Sequence, residues 1–331
     1  MTRFLAPPVP AEASAGSAPS FSVIIPAYQA ADVVGEAVAS VVEQTAPPYE
    51  VIVCDDGSTD GTGDVVAAFP DVTLLRKENG GPASARNAAV AAATGDFVVL
   101  LDADDVYLPD RLRLLGELVA ERPDLDVLAT DAYLEVGDET VGLFSDFNPF
   151  PVDDQRIAVL ERCFVIAPAI RRTRLLATGG FDEQLRTSDD WDCLVRVVVS
   201  GALVGFVDAP LMRYRLREGS VTSARIPALR ERVALFEKTR RDERLDDRER
   251  AAAERLLRVH RNELELAEIE AELLAGGHPR RRLLRVVRGD GFSTATRAKA
   301  AAAIVSPGSA RRRLRSRDSV RLVAPSSRGR R

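Results

Sequence analysis

A run of five apolar residues, Phe97 to Leu101, stops abruptly at Asp102-Ala103-Asp104-Asp105. An unbroken apolar segment of this length reads as a strand buried on both faces, which calls for a sheet covered by helices on each side. The carboxylates then stand at the strand's carboxyl end, the edge where open α/β sheets bind ligands. Carboxylates two positions apart can share one hard cation through oxygen, and a divalent ion held there would neutralise a bound diphosphate. The plain alternative is a turn, because Asp caps helices and bonds its own backbone, and Pro109 suits a first helical turn. The tetrapeptide alone favours capping, so its surroundings decide.

Three more strands of the same kind precede it, each followed by a polar loop and a helix. Ser22 to Pro26 is a short buried strand running into Ala27-Tyr28-Gln29 and a helix from about Asp32 to Gln44. Glu50 to Cys54 runs into Asp55-Asp56-Gly57-Ser58-Thr59-Asp60-Gly61-Thr62, where the glycines allow the turn and Asp60 or Thr62 caps a helix. Val72 to Leu75 is followed by Gly81-Pro82, a helix start with proline at the first position, and Gly95 as its stop. That helix aims its amino terminus at the same edge, within reach of which stands Arg86. Strand and helix alternating four times, with the polar residues after the strands, predict a doubly wound, mainly parallel sheet.

Beyond Asp105 the pattern predicts a helix over Pro109 to Arg122, a strand over Asp126 to Thr130, and a hairpin from Tyr133 to Phe144 turning at Gly137-Asp138. A helix over Val152 to Arg162, a strand over Phe164 to Ile166 and a helix over Arg172 to Ala177 follow. Next comes Ser188-Asp189-Asp190-Trp191-Asp192, with Ser188 as N-cap and both aspartates in the first turn, where the helix dipole favours ionised carboxylate. A general base needs that ionisation, although simple complementation of the dipole would use the same residues. Trp191, the one tryptophan, suits either a sugar-stacking wall or the core. Leu203 to Val207 and Leu211 to Tyr214 read as two further strands, followed by the polar loop Arg215 to Ser223.

The expected organisation is a disordered leader over 1–20, a sheet domain over 21–224, a helical hairpin over 225–278 and a basic Arg/Ala-rich helical tail over 279–331, partly disordered. The net charge of −5 conceals an asymmetry: from Pro279 onward there are 16 Lys and Arg against two acids, Asp290 and Asp318. An acidic body does not suit a nucleic-acid backbone, and no aromatics interleave the tail arginines, so nucleic acid is not an expected partner. A basic tail does suit peripheral contact with anionic lipid. Cys54, Cys163 and Cys193 form no C-x-x-C pair, and His260 and His278 lie outside the motifs, which argues against a disulfide framework, zinc or a Ser-His-Asp triad. With no signal peptide or membrane span visible, the expected location is the cytoplasm, with contact at the inner membrane face.

Taken in order, SVIIPAYQA, VIVCDDGSTDGT, ENGGPASARNAA, GDFVVLLDADD and SDDWD resemble the family 2 glycosyltransferases of the GT-A fold. Any one of these motifs is weak; five in register over residues 21 to about 223 are specific. The resemblance implies that Pro26, Ala27 and Tyr28 border the nucleoside of a UDP-, GDP- or dTDP-sugar, that Asp56 contacts the base and that Arg86 helps hold the nucleotide. It implies that Asp102, Ala103 and Asp104 form the D-x-D, with Asp104 the principal ligand of a Mn or Mg ion and Asp102 nearer the ribose. Asp190 matches the catalytic base of an inverting, single-displacement transfer to an acceptor hydroxyl. Asp189, Trp191 and Arg217 are then expected near the acceptor or diphosphate.

Two departures from the family pattern matter. Arg217 stands where many relatives carry a metal-binding His; it cannot ligate a cation but can pair with a diphosphate. The Q-x-x-R-W motif and membrane helices of the processive synthases are absent, which favours addition of one sugar or a few to a saccharide or lipid-linked acceptor in cell-envelope synthesis. A sugar nucleotidyltransferase would want a glycine-rich basic loop where Pro26 to Ala30 stands. A catalytically silent nucleotide-sugar-binding module would have no need of both Asp104 and Asp190.

Overall fold

The structure, a computed structural model, describes residues 2–8, 19–137, 139–216 and 225–321. After the short β1 (Arg3–Leu5), four parallel strands carry the amino-terminal half: β2 (Phe21–Ala27), β3 (Glu50–Asp55), β4 (Val72–Arg76) and β5 (Phe97–Leu100). The crossovers contain α1 (Val34–Val42), α2 (Thr62–Ala67) and α3 (Pro82–Ala92). Val23, Ile24 and Ile25, and likewise Val98 and Val99, are fully buried, as strands covered on both faces must be. Each such side chain contributes about 1.5–3 kcal/mol by leaving water.

The chain continues through β6 (Val106–Tyr107), α4 (Arg111–Glu121), β7 (Val127–Val136), β8 (Glu139–Leu143), α5 (Phe144–Phe147), α6 (Gln155–Glu161), β9 (Ala169–Arg171), α7 (Arg172–Ala177), α8 (Asp189–Val199) and β10 (Val204–Arg215). The sheet runs β1-β10-β7-β9-β5-β2-β3-β4, with β6 paired to β10 and β8 to β7. It is mixed: β2, β3, β4, β5, β7 and β10 run one way, β9 lies antiparallel between β5 and β7, and β1, β6 and β8 pair antiparallel at the margins.

Four sequence expectations need correction. Phe164 to Ile166 is not a strand: Phe164 is buried edge-on against Phe150 at 5.7 Å, and the left-handed Ala167 (φ 43°) and Pro168 turn the chain so that pairing starts at Ala169. The two strands expected over 203–214 are one, β10, whose register shifts on either side of Pro210, a residue with no N–H to donate. The strand over 126–130 likewise runs on unbroken into the first arm of the hairpin as β7. Within the expected leader, Arg3–Leu5 pairs with Phe206 to Asp208 and Phe4 packs on the core, because the free edge of β10 offers unpaired backbone groups. Residues 9–18 and Asp138 lie outside the described residues.

The chain divides into two compact units, residues 1–223 with 238–253, and residues 224–237 with 254–331. The second unit is helical, drawing on α9 (Arg225–Thr239), α10 (Asp247–Leu274), α11 (Arg280–Arg288), α12 (Thr294–Val305) and α13 (Pro307–Arg321). Where the sequence suggests a boundary after residue 278, Ile269 and Leu273 of α10 share a core with Leu283 and Val286 of α11 and Ala300 and Ala303 of α12. The last ten residues lie outside the described ones, and no described helix is long and apolar enough to cross a membrane.

Candidate active site

The loops after β2 and β3 are sewn together by the polar residues of their own motifs. The backbone amides of Gln29, Ala30 and Ala31 donate to Ser58 Oγ, Thr62 Oγ1 and Asp60 Oδ2 at 2.9, 2.8 and 3.0 Å. Asp60 also accepts from the Thr62 amide at 3.0 Å, although the N-cap position of α2 is Gly61 and carries no side-chain capping bond. Tyr28, at the crest of this junction, is 55% exposed, whereas Ala27 is buried in the core. Pro26 stands level with Cys54 in the ladder, one residue before Asp55.

Asp56 is buried, and both its oxygens face the next loop. It accepts from Lys77 Nζ at 2.8 Å and from the amides of Gly80 and Gly81 at 3.0 and 2.7 Å. Gly57, at φ 82°, lets that loop come close: a Cβ there would lie 2.9 Å from the Asn79 nitrogen. Gly81 at φ 93° opens α3, and Pro82 takes its first position as the sequence predicts. The Arg186 guanidinium lies close by, its carbon 3.8 Å from where a Gly81 Cβ would be.

β2 and β5 are neighbours in register, Ile24 against Leu100, so Asp102 emerges beside Pro26 at the same sheet edge. Asp102 and Asp104 are half-buried, Asp105 is buried, and Ala103 packs its methyl into the core. Arg86, 8% exposed in α3, donates from Nη2 to Asp102 Oδ1 at 2.7 Å and from Nη1 to Asp189 of α8. Burial opposes the Arg86 charge, but Asp102, Asp189 and Asp190 outweigh it and hold the guanidinium above its ordinary range.

The opening of α8 separates its two aspartates by side. Asp189 is buried against Arg86, while Asp190 is exposed at the rim, with Oδ1 accepting from the Trp191 amide at 2.7 Å. Although Asp190 keeps solvent contact, the protein around it excludes much of the water, and that together with the Asp189 charge pushes its carboxyl up to about 6. Burial also raises Asp189, against the pull of Arg86. Ser188 occupies the N-cap position, but its hydroxyl makes no capping bond. Trp191 is half-buried and its Nε1 donates to the Val159 carbonyl of α6 at 2.7 Å, which ties it to the scaffold.

Tyr214 is a residue near the site acids that the sequence reading passes over as part of a strand. It is half-buried near the end of β10, where burial and then the nearby charges of Asp102, Asp105, Asp190 and Asp104 hold its hydroxyl above the usual range. Its place in YRLREGS, beside the expected metal-completing loop, is the signal that could have found it. Lys77 was equally invisible, because nothing local pairs it with Asp56. Arg217 lies outside the described residues.

The acids at this edge have the donor chemistry of a hard divalent cation. Their donors are all carboxylate oxygens, which suits Mg or Mn, and Asp102, Asp104 and Asp105 crowd like charges within four positions. No three His, Cys, Asp or Glu among the described residues converge to cage an ion. Asp102 and Asp104 are the half-buried acids of this edge, and Asp102 Oδ1 is already held by Arg86.

Residues 22–171 match the family model described as Glycosyl transferase family 2. The succinoglycan biosynthesis protein ExoO of Rhizobium meliloti (strain 1021) is 31% identical over 225 residues, 62% of this chain and 63% of that one. Among solved structures, S. aureus TarS 1-349 in complex with UDP-GlcNAc superposes with a TM-score of 0.61 at 20% identity, over 91% of this chain and 92% of that one. The mannosyltransferase PcManGT of Pyrobaculum calidifontis, in complex with GDP-Man and Mn2+, gives a TM-score of 0.56 at 23% identity, over 95% and 90% of the two chains. At such identities these two likenesses speak for the fold alone, and the chain spans 33% and 63% of the length of two curated relatives it matches. By its matched sheet segment the chain is similar to glycosyl transferase family 2, and its architecture is the GT-A fold.

Proposed function

We propose that the chain transfers a sugar from a nucleoside-diphosphate donor to an acceptor hydroxyl with inversion, Asp190 acting as general base. The observation that carries this reading is the chain Asp102–Arg86–Asp189, which brings the D-x-D at the end of β5 next to the first turn of α8, where Asp190 is exposed. The nucleoside would lie along Pro26 to Tyr28, with Asp56 holding the 77–81 loop that borders it. Asp104 and Asp102 would hold a divalent cation, which supplies charge neutralisation for the leaving diphosphate. Asp190, largely ionised at neutral pH, takes the acceptor proton while that oxygen attacks the anomeric carbon and the diphosphate departs from its opposite face. One base and one displacement give inversion.

The donors named for TarS and PcManGT support a UDP- or GDP-sugar, with dTDP-sugars as a third class to test. The name of ExoO supports a role in polysaccharide synthesis, and the proposed acceptor is a saccharide or lipid-linked molecule of the cell envelope to which one sugar or a few are added. Three unpaired thiols suit a reducing, cytoplasmic location. The exposed arginines of α11 suit contact with the inner membrane face. A thermal-shift screen of nucleoside diphosphates and their sugars, with and without Mn, followed by donor hydrolysis and transfer assays, tests the reading. Stabilisation by one nucleotide class together with turnover supports it; stabilisation without any turnover would make the chain a silent binding module.

A further inference from the structure

We infer that Arg86 and Asp189 form a buried clamp that fixes the orientation of α8 against the D-x-D loop, making both positioning residues. The inference rests on Asp190 being the base and deepens that reading. Its ground is where the guanidinium is spent. Both terminal nitrogens of Arg86 are taken by carboxylates, Asp102 on one side and Asp189 on the other. The Phe181 ring lies 5.7 Å from its carbon, and Nε is buried without a partner among the described residues. Two of its five N–H groups, one on each arm, are thus committed to carboxylates of two different segments.

What the clamp does follows from helix geometry. Asp189 and Asp190 are successive residues of one helical turn and so point about 100° apart. Holding the first inward sets the direction of the second. The same turn is restrained from behind: Asp192 accepts from Arg196 at 2.7 Å and from Lys238 at 3.1 Å, and Lys238 also donates to Asp182 at 2.8 Å. The Arg86–Asp189 bond spans 103 positions and the Arg86–Asp102 bond 16, so one side chain links three separate segments.

The clamp also frames Asp190 electrically. The groups that act on it are Asp189 on its own helix, Arg86 on α3 and Asp102 after β5; Cys163 after α6, Cys193 on α8 and Tyr214 on β10 also lie within its field. Arg86 favours the ionised base and Asp189 opposes it, so removal of either must shift the base in a known and opposite direction.

The test uses the full chain with Asp189→Asn, Arg86→Gln and Arg86→Lys, and with Asp190→Asn as control. UDP, GDP and dTDP with Mn serve as binding probes, and turnover is followed against pH. Asp189→Asn and Arg86→Gln are expected to lower kcat about 10- to 100-fold through misplacement of the base, with nucleotide affinity within about threefold of the parent. The acid limb of the pH profile moves down in Asp189→Asn and up in Arg86→Gln. Arg86→Lys keeps the charge but not the two-pronged grip, so its limb stays near the parent's while kcat falls. Loss of nucleotide affinity with kcat retained, or limbs that stay put or move together, would overturn the clamp. Full turnover in Asp190→Asn would instead overturn the assignment of the base. Near-isosteric Asp189→Asn keeps the test open should Arg86→Gln not fold.

Discussion

The carboxylate of Asp105 accepts a hydrogen bond from the backbone amide of Arg215 at 3.0 Å, across 110 positions of chain. Arg215 then turns its guanidinium to Glu36 at 2.8 Å. Acids of one short loop thereby acquire different jobs: Asp105 fastens the loop to β10 and Asp102 meets Arg86, while the proposal gives the cation to Asp104.

Neighbouring substitutions should therefore separate. Asp105→Asn, which keeps an oxygen acceptor for the Arg215 amide, is expected to retain Mn-dependent nucleotide binding. Asp104→Asn should weaken the Mn response of that binding by tenfold or more, about 1.4 kcal/mol or above. Mn titration of UDP, GDP or dTDP affinity in both variants checks this, and an unchanged response in Asp104→Asn would refute it.

Asp190→Ala should lower turnover by about 10²- to 10⁴-fold while nucleotide affinity is kept. In the parent, activity should rise with pH through about 6 and level off above it, since the base works only once its raised carboxyl has ionised. Equal loss of binding and turnover would contradict this role.

Gly57→Ala should destabilise the fold by about 1–3 kcal/mol, because the residue sits at φ 82° and the new methyl would meet the Asn79 nitrogen at 2.9 Å. Urea unfolding measures it. The same variant should loosen the 77–81 loop that Asp56 gathers, so nucleotide affinity is a second readout.

Glu50 accepts from Ser22 Oγ at 2.6 Å, from the Thr94 amide and hydroxyl at 2.7 and 2.9 Å, and from the Gly95 amide at 3.3 Å. Burial opposes its charge, but these bonds prevail and hold its carboxyl below the ordinary value. A depressed carboxyl contributes stability that is present above its unfolded pKa of about 4.3 and is lost as pH falls through the lower folded value. Glu50→Gln should thus lower Tm at pH 7, and the gap to the parent should close in acid. A constant gap would show that the charge is irrelevant.

On α11, Leu283 and Val286 face the helical core while Arg280, Arg281 and Arg288 are exposed. At about 1 kcal/mol per basic residue near an anionic surface, reversing all three to Glu should abolish co-sedimentation with phosphatidylserine vesicles. Parent protein that fails to sediment at low salt would remove membrane contact from the proposal.

Local pattern was enough to read the parallel strands, the Gly81-Pro82 helix start and the strand-end placement of the carboxylates. Each of these depends on residues within a few positions: an apolar run, a proline at N1, a charge where the run stops. Family motifs added the roles expected of Asp104 and Asp190. The sequence could not show that Asp56 turns inward to Lys77 and Gly81, or that both arms of Arg86 are used within the protein. Nor could it place β9 between β5 and β7 or lay Arg3–Leu5 on the edge of β10. The identity of a hydrogen-bond partner up to 110 positions away is set by how sheet and helices pack, and a carboxylate on its own is equally fit to bind a metal, a backbone amide or an arginine.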